Sequence, residues 1–104
     1  MLTEVETSVM RGGWVYIVTN RPNGTLCVGF TSDLARRIWE HREDVADGFT
    51  GKYGLKLLVW AEGHDDIRAA IQRERNIKHC PRAWKIDLIL SQNPEWKDVH
   101  DRLV

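Results

Sequence analysis

Two short apolar runs, Trp14 to Thr19 and Thr25 to Phe30, flank Pro22-Asn23-Gly24. Asn-Gly between β-rich segments predicts a hairpin closed by a two-residue type I′ loop. That loop pairs Thr25 with Pro22 and sets Cys27 opposite Asn20. Alternation along the strands puts Tyr16, Val18 and Asn20 on one face with Cys27 and Gly29. Val15, Ile17, Leu26, Val28 and Phe30 form the other, apolar face. The pattern predicts a sheet with one face on the core and one face holding a site.

A helix follows, with Thr31 or Ser32 as the cap for its free N–H groups. Leu34, Ile38 and Val45 fall within about 40° of one another at helical spacing. His41 lies in the middle of that stripe, Arg37 at its edge, and Trp39 points away from it. Residues 47–54, DGFTGKYG, read as a Gly-punctuated loop. Residues 55–61, LKLLVWA, read as a third, mostly buried strand. A second helix runs from about Asp65 to about His79 on an apolar stripe of Ile67, Ala70, Ile71 and Ile77. Glu74 projects within about 20° of Ile67 and therefore inward. Cys80-Pro81 breaks that helix, because proline cannot continue the hydrogen-bond ladder. Residues 82–91 form another amphipathic helix with Ala83, Trp84, Ile86, Ile89 and Leu90. Asn93-Pro94 ends it, and 95–103 is read as a last helical turn or two. The order is ββαβαα: an α+β fold with a small three-stranded, largely antiparallel sheet flanked by helices. Residues 1–12 carry no pattern and read as a flexible arm. Residues 13–104 form one domain, with a C-terminal helical extension from about residue 81.

Composition narrows the class without changing that picture. A chain of 104 residues makes one small domain with a modest core. Its 42% apolar content excludes a disordered segment. No apolar run approaches the roughly 20 residues that span a bilayer. With Glu4 and Glu6 and no basic stretch before them, the first ten residues are not expected to be a signal peptide. Cys27 and Cys80 lack the spacing of a zinc site and read as free thiols in a reducing cytoplasm. No membrane and no organic cofactor are expected, and no oligomeric state is indicated. The net charge is zero, yet the charges are segregated. Arg68, Arg73, Arg75, Lys78, Arg82 and Lys85 face a single acid, Glu74, between residues 68 and 85. Such a stretch is either a phosphate-binding face or a solvated helix surface.

His41 and Glu74 are the positions that periodicity singles out. A carboxylate in an apolar stripe needs a partner, because an unpaired buried charge costs several kcal/mol. Two readings of Glu74 stay open. It forms a structural ion pair, for example with Arg37, or it faces a cleft and holds a divalent cation.

The motif residues resemble the GIY-YIG nuclease superfamily, and within it the small stand-alone bacterial branch. Trp14-Val15-Tyr16 matches the GIY element and Cys27-Val28-Gly29 the YIG element. Asp33-Leu34-Ala35-Arg36-Arg37 matches the helix motif, and the likeness continues through Glu74, residues 82–85 (RAWK) and residues 93–96 (NPEW). The resemblance implies an endonuclease that hydrolyses DNA phosphodiester bonds with one divalent cation, Mg²⁺ or Mn²⁺, held by Glu74. It gives Arg37 the scissile phosphate, Tyr16 the role of general base or proton relay, and His41 the role of assisting Tyr16. Repair or processing of DNA is the implied setting. Cys27 stands where the second motif tyrosine belongs, and a thiol is shorter and a weaker hydrogen-bond donor than a phenol. Arg37, Lys52, Tyr53, Arg73, Arg75 and Lys78 are the candidate nucleic-acid contacts, with Arg82 and Lys85 behind them. The rivals are a catalytically impaired nucleic-acid-binding module of the same fold, and an interaction domain in which Glu74 and His41 are structural.

Overall fold

A computed structural model of the chain describes residues 12–43 and 56–99, with the side chains of His41 and Arg42 outside the description. The elements are β1 (Gly13–Thr19), β2 (Leu26–Thr31), α1 (Leu34–Arg42), β3 (Leu57–His64), α2 (Ile67–Lys78) and α3 (Arg82–Gln92). The sheet order is β2-β1-β3, and both pairings are antiparallel. The ββαβαα order and the α+β class hold as expected.

The hairpin forms, but its loop is longer than the dipeptide predicts. Thr19 pairs with Leu26, and Cys27 stands opposite Val18 and not Asn20. Gly24 N–H donates to the Arg21 carbonyl at 2.9 Å, and Asn23 has φ 58°. Proline and then a positive-φ residue at the two central positions fit a type II turn within a wider loop. Asn20 Oδ1 accepts from Thr25 N–H at 3.1 Å inside that loop. From outside it, Arg82 at the start of α3 donates through Nη2 to the carbonyls of Asn23 (2.9 Å) and Gly24 (2.6 Å). The register moves by two residues, so the side-chain faces are unchanged.

Those faces are both covered. Val15, Ile17 and Val28 pack with Ala70 and Ile77 of α2, Ile89 of α3 and Trp96. Tyr16, Val18, Leu58 and Ala61 pack with Leu34 and Ile38 of α1 and with Val99. The expected asymmetry is therefore corrected: the tyrosine face is a second core, because α1 turns its apolar stripe onto it. A bulge in the β1–β3 ladder at Ile17/Val18 lets the consecutive Val59 and Trp60 both join the first core. Each fully buried aliphatic side chain of this kind contributes about 1.5–3 kcal/mol.

Several boundaries also differ. The α1 cap is Asp33, whose Oδ1 accepts from Arg36 N–H at 3.2 Å, while Thr31 Oγ1 accepts from Asp33 N–H at 3.1 Å. The cap moves inward because a carboxylate oxygen outcompetes the hydroxyls before it. β3 runs on to His64 through Glu62-Gly63, which pair with Val15 and Trp14. On α3, Ile89 is buried, but Trp84 (64% exposed) and Leu90 lie on the outer side. Residues 96–99 are not helical. Asn93 Nδ2 donates to the carbonyls of Val59 (3.1 Å) and Lys97 (2.6 Å), and Val99 N–H donates to the Leu58 carbonyl at 2.8 Å. This final segment lies along β3 and contributes Val99 to the second core. The expectations for residues 1–11, Val45, the 47–54 loop and 100–103 fall outside the described residues.

Candidate active site

Tyr16 stands on the central strand, directly opposite Gly29, and is only 2% exposed. Its ring lies over that glycine. A Cβ at position 29 would meet Tyr16 Oη at 2.6 Å and Cζ at 2.7 Å. The glycine of the YIG element is thus the floor on which the phenol rests. Above it, α1 aims Arg37 back at the sheet, and Arg37 Nε donates to Tyr16 Oη at 3.1 Å. Arg37 Nη1 donates to Glu40 Oε1 at 3.1 Å, three residues on, and the arginine side chain stays 45% exposed. Burial pushes the phenol of Tyr16 above its ordinary range, against the pull of the Arg37 hydrogen bond and charge. Tyr16 is a protonated phenol in the free protein. Its hydrogen bond in turn raises Arg37, ahead of the contribution from Glu40, so the guanidinium is secure as a cation.

Cys27 is half-buried on the edge strand, on the Tyr16 face and opposite Val18. Burial raises its thiol, Lys78 and then Arg37 lower it, and Glu74 raises it again. The net direction is upward, so this is a neutral thiol and not an activated nucleophile. Those opposing charges also locate the site. Cys27 lies within reach of the Arg37 charge from α1 and of Glu74 and Lys78 from α2.

Glu74 sits between Ala70 and Ile77 on the buried stripe of α2 and is 7% exposed. Its partner is not Arg37. Lys78, one helical turn on, brings Nζ to within 3.0 Å of Glu74 Oε2. The hydrogen bond to Glu74 is the main reason the Lys78 ammonium is raised, and Cys27 and Tyr16 add to it. A divalent cation fits this position by chemistry. The donor is a fixed carboxylate oxygen, and a stand-in cation, the ammonium, already occupies it. Among the described residues no group of three or more His, Cys, Asp or Glu could form an all-protein cage. A divalent cation held at this carboxylate would therefore draw its remaining oxygen ligands from water and substrate.

The other candidates divide. His41 belongs to α1 by its backbone, and its side chain lies outside the description, as do Lys52 and Tyr53. Arg73 donates through Nε to Glu62 Oε1 at 3.0 Å, and the same oxygen lies 2.8 Å from His64 Nε2. Arg75 is exposed on the last turn of α2. Arg82 is engaged by the hairpin loop. Sequence reasoning assigns Lys78 to nucleic acid and misses it as the Glu74 partner, although Glu followed by Lys at i+4 is a recognised helical pairing. Glu40 is missed too, and its i+3 spacing from Arg37 carries the same signal.

The site is thus a three-stranded antiparallel sheet that buries a tyrosine under an arginine from the next helix, with an inward glutamate on a later helix. The family model described as the GIY-YIG catalytic domain matches residues 12–87, and the chain belongs to the GIY-YIG family. This is a family of endonuclease-type hydrolases acting on DNA, generally with divalent metal ions. A UPF0213 protein of Syntrophus aciditrophicus (strain SB) is 35% identical over 94 residues, covering 83% of this chain and 98% of its own length. The UPF0213 protein ORF82 of Orgyia pseudotsugata multicapsid polyhedrosis virus is 35% identical over 81 residues, covering 76% and 78%. The solution structure of a UPF0213 protein from Bacillus halodurans superposes with a TM-score of 0.54 at 25% identity, covering 85% of this chain and 93% of that one. Among the described residues no helix is long and apolar enough to cross a membrane.

Proposed function

We propose that this chain is a metal-dependent endonuclease that hydrolyses DNA phosphodiester bonds, serving DNA repair or processing in the cytoplasm. The observation that carries the reading is the 3.1 Å bond from Arg37 Nε to the buried hydroxyl of Tyr16. It aligns a permanent cation and a proton-handling oxygen at one place, and the Arg37 charge and the inward Glu74 carboxylate both act on the neighbouring Cys27. Arg37 binds the scissile phosphate, exchanging Glu40 for a phosphate oxygen; the guanidinium fork suits that contact. A protonated Tyr16 is not a resident base, so it works as a relay. It accepts a proton from the attacking water at Oη while passing its own on to His41. The water oxygen bonds to phosphorus as the opposite P–O bond breaks. When bound at Glu74, Mg²⁺ or Mn²⁺ supplies positive charge to the departing oxygen. Arg75, Lys52 and Tyr53 extend the contact to the DNA backbone. Arg73 and Lys78 join it only by leaving their carboxylates.

Cys27 favours a second reading, a catalytically impaired module that binds nucleic acid without cutting it. The test is cleavage of labelled duplex, single-stranded and branched DNA in Mg²⁺ and in Mn²⁺, with Glu74→Ala, Arg37→Ala and Cys27→Tyr beside the native chain. The nuclease reading expects cleavage that both alanine variants abolish. Activity seen in Cys27→Tyr but not in the native chain establishes the second reading. Silence from all of them removes the proposed chemistry.

A further inference from the structure

Lys78 and Glu74 differ in freedom. The carboxylate side chain is 9% exposed and fixed among buried residues, whereas the lysine side chain is 56% exposed. Its four-carbon stem has several rotatable bonds, so the ammonium can leave and the carboxylate cannot. The oxygen that Lys78 holds, Oε2 at 3.0 Å, belongs to the same group that would hold a divalent ion. An ammonium and a dication cannot share it without strong repulsion.

We propose that Lys78 is a tethered counterion that occupies Glu74 in place of the divalent cation and must swing away for the cation to enter. The inference rests on the reading of Glu74 as the cation-holding carboxylate. It makes cation loading depend on substrate. The Lys78 charge already acts at Cys27 and at Tyr16, so a phosphate bound by Arg37 beside them offers the ammonium a second partner. DNA draws Lys78 off Glu74 and contributes phosphate oxygens to the ion at the same moment. By linkage, the ion and DNA then tighten each other's binding. Without DNA the carboxylate is neutralised internally and the ion binds weakly.

The experiment is titration of the full chain with Mn²⁺ alone, followed by calorimetry or by the electron paramagnetic resonance of free Mn²⁺. The native chain is compared with Lys78→Met, Lys78→Arg and Glu74→Gln. Lys78→Met is expected to bind Mn²⁺ about tenfold more tightly than the native chain, equivalent to about 1.4 kcal/mol. Lys78→Arg, which keeps the charge, stays as weak as the native chain, and Glu74→Gln loses the site. Thermal unfolding supplies a readout independent of activity. In EDTA, Lys78→Met melts lower than the native chain, because its carboxylate is left unpaired, and Mn²⁺ raises its Tm more than it raises the native one. If Lys78→Met does not fold, Lys78→Gln carries the same expectation, since its amide bonds the carboxylate without charge. Equal or weaker Mn²⁺ binding by the uncharged variants, with Glu74→Gln still losing it, overturns the counterion role and leaves the cation site standing. Mn²⁺ binding that Glu74→Gln does not weaken overturns the cation site itself, and the counterion role with it.

Discussion

Gly29→Ala is the substitution on which the site geometry is most exposed to refutation. The methyl would lie 2.6 Å from Tyr16 Oη, 2.7 Å from Cζ and 3.2 Å from Cε2. Carbon atoms rest at about 3.5–4.0 Å from one another, so the phenol has to retreat by roughly an ångström. A tyrosine 2% exposed and packed with Leu34, Ile38 and Val18 has little room for that, and the retreat also breaks the Arg37 bond. Overpacking costs about 1–3 kcal/mol, and a hydrogen bond to a charged group is worth about 1.5–3 kcal/mol. Because the two losses overlap, a net destabilisation of about 2–3 kcal/mol is expected. With a urea m-value of roughly 1 kcal/mol/M, the midpoint falls by about 2–3 M. Tryptophan fluorescence follows it, since Trp60 is buried in the core. Tyr16→Phe removes the atom nearest the new methyl. In the Gly29→Ala background it therefore regains part of the loss, whereas alone it destabilises, and the double-mutant cycle shows favourable coupling between the two changes. Alanine ordinarily stabilises by about 0.4–1 kcal/mol where glycine's freedom is not needed. A midpoint that is unchanged or raised in Gly29→Ala would refute the placement of the phenol over position 29.

The Tyr16 phenol, raised by burial against the opposing pull of Arg37, binds its proton more tightly folded than unfolded. Its contribution to stability is therefore fully present below the ordinary tyrosine pKa of about 10 and is lost as pH rises through the higher folded value. Urea midpoints of the native chain should fall faster than those of Tyr16→Phe above about pH 10; parallel curves would contradict the shift. Asn93→Ala should destabilise the chain by about 2 kcal/mol, because it removes the donor to the Val59 and Lys97 carbonyls and the acceptor for Lys97 N–H at 3.0 Å. Chemical denaturation measures it, and a change within 0.5 kcal/mol of zero, typical of a surface site, would rule out the clasp.

What is legible in the chain follows the range of the interaction concerned. The strands and the inward Glu74 are periodicities, and every residue needed to see them lies within one element. The register of the hairpin is different. Asn-Gly is a local signal, but Arg82, 58 residues along from Gly24, holds the loop by its carbonyls, and no local pattern contains that contact. Trp84 fails for a related reason. A helix with apolar residues on both flanks does not say which flank meets the sheet, and Ile86 and Ile89 win the core while Trp84 stays outside. The second core under Tyr16 is hidden because strand alternation reports polarity, whereas coverage depends on where α1 and Val99 come to rest. The basic stretch misleads most. Counting charges treats each Lys and Arg as available, but Arg68 is paired with Asp66, Arg73 with Glu62 and Lys78 with Glu74.

Those pairings bear on how a chain of zero net charge can handle a polyanion. Both cations that act on Cys27 are held by carboxylates of their own helix, Arg37 by Glu40 and Lys78 by Glu74. Neither is an open phosphate site, and each can take a phosphate only by exchanging it for the carboxylate. The Arg37–Glu40 pair is partly exposed and of a kind worth about 0.2–1 kcal/mol, so that exchange is not prohibitive. Separating Lys78 from the buried Glu74 costs more unless another cation takes its place. Each exchange subtracts from affinity at its contact. The two exchanges differ in outcome. Glu40 is partly exposed (24%) and returns to water when Arg37 leaves it. Glu74 is buried and cannot tolerate being left without a cation. A phosphate that takes Lys78 without an ion entering leaves a bare carboxylate in the core, and an ion that enters without displacing Lys78 meets an ammonium. The coupling of ion and substrate thus follows from the burial of a single side chain, and it would be lost if position 74 were solvent-exposed.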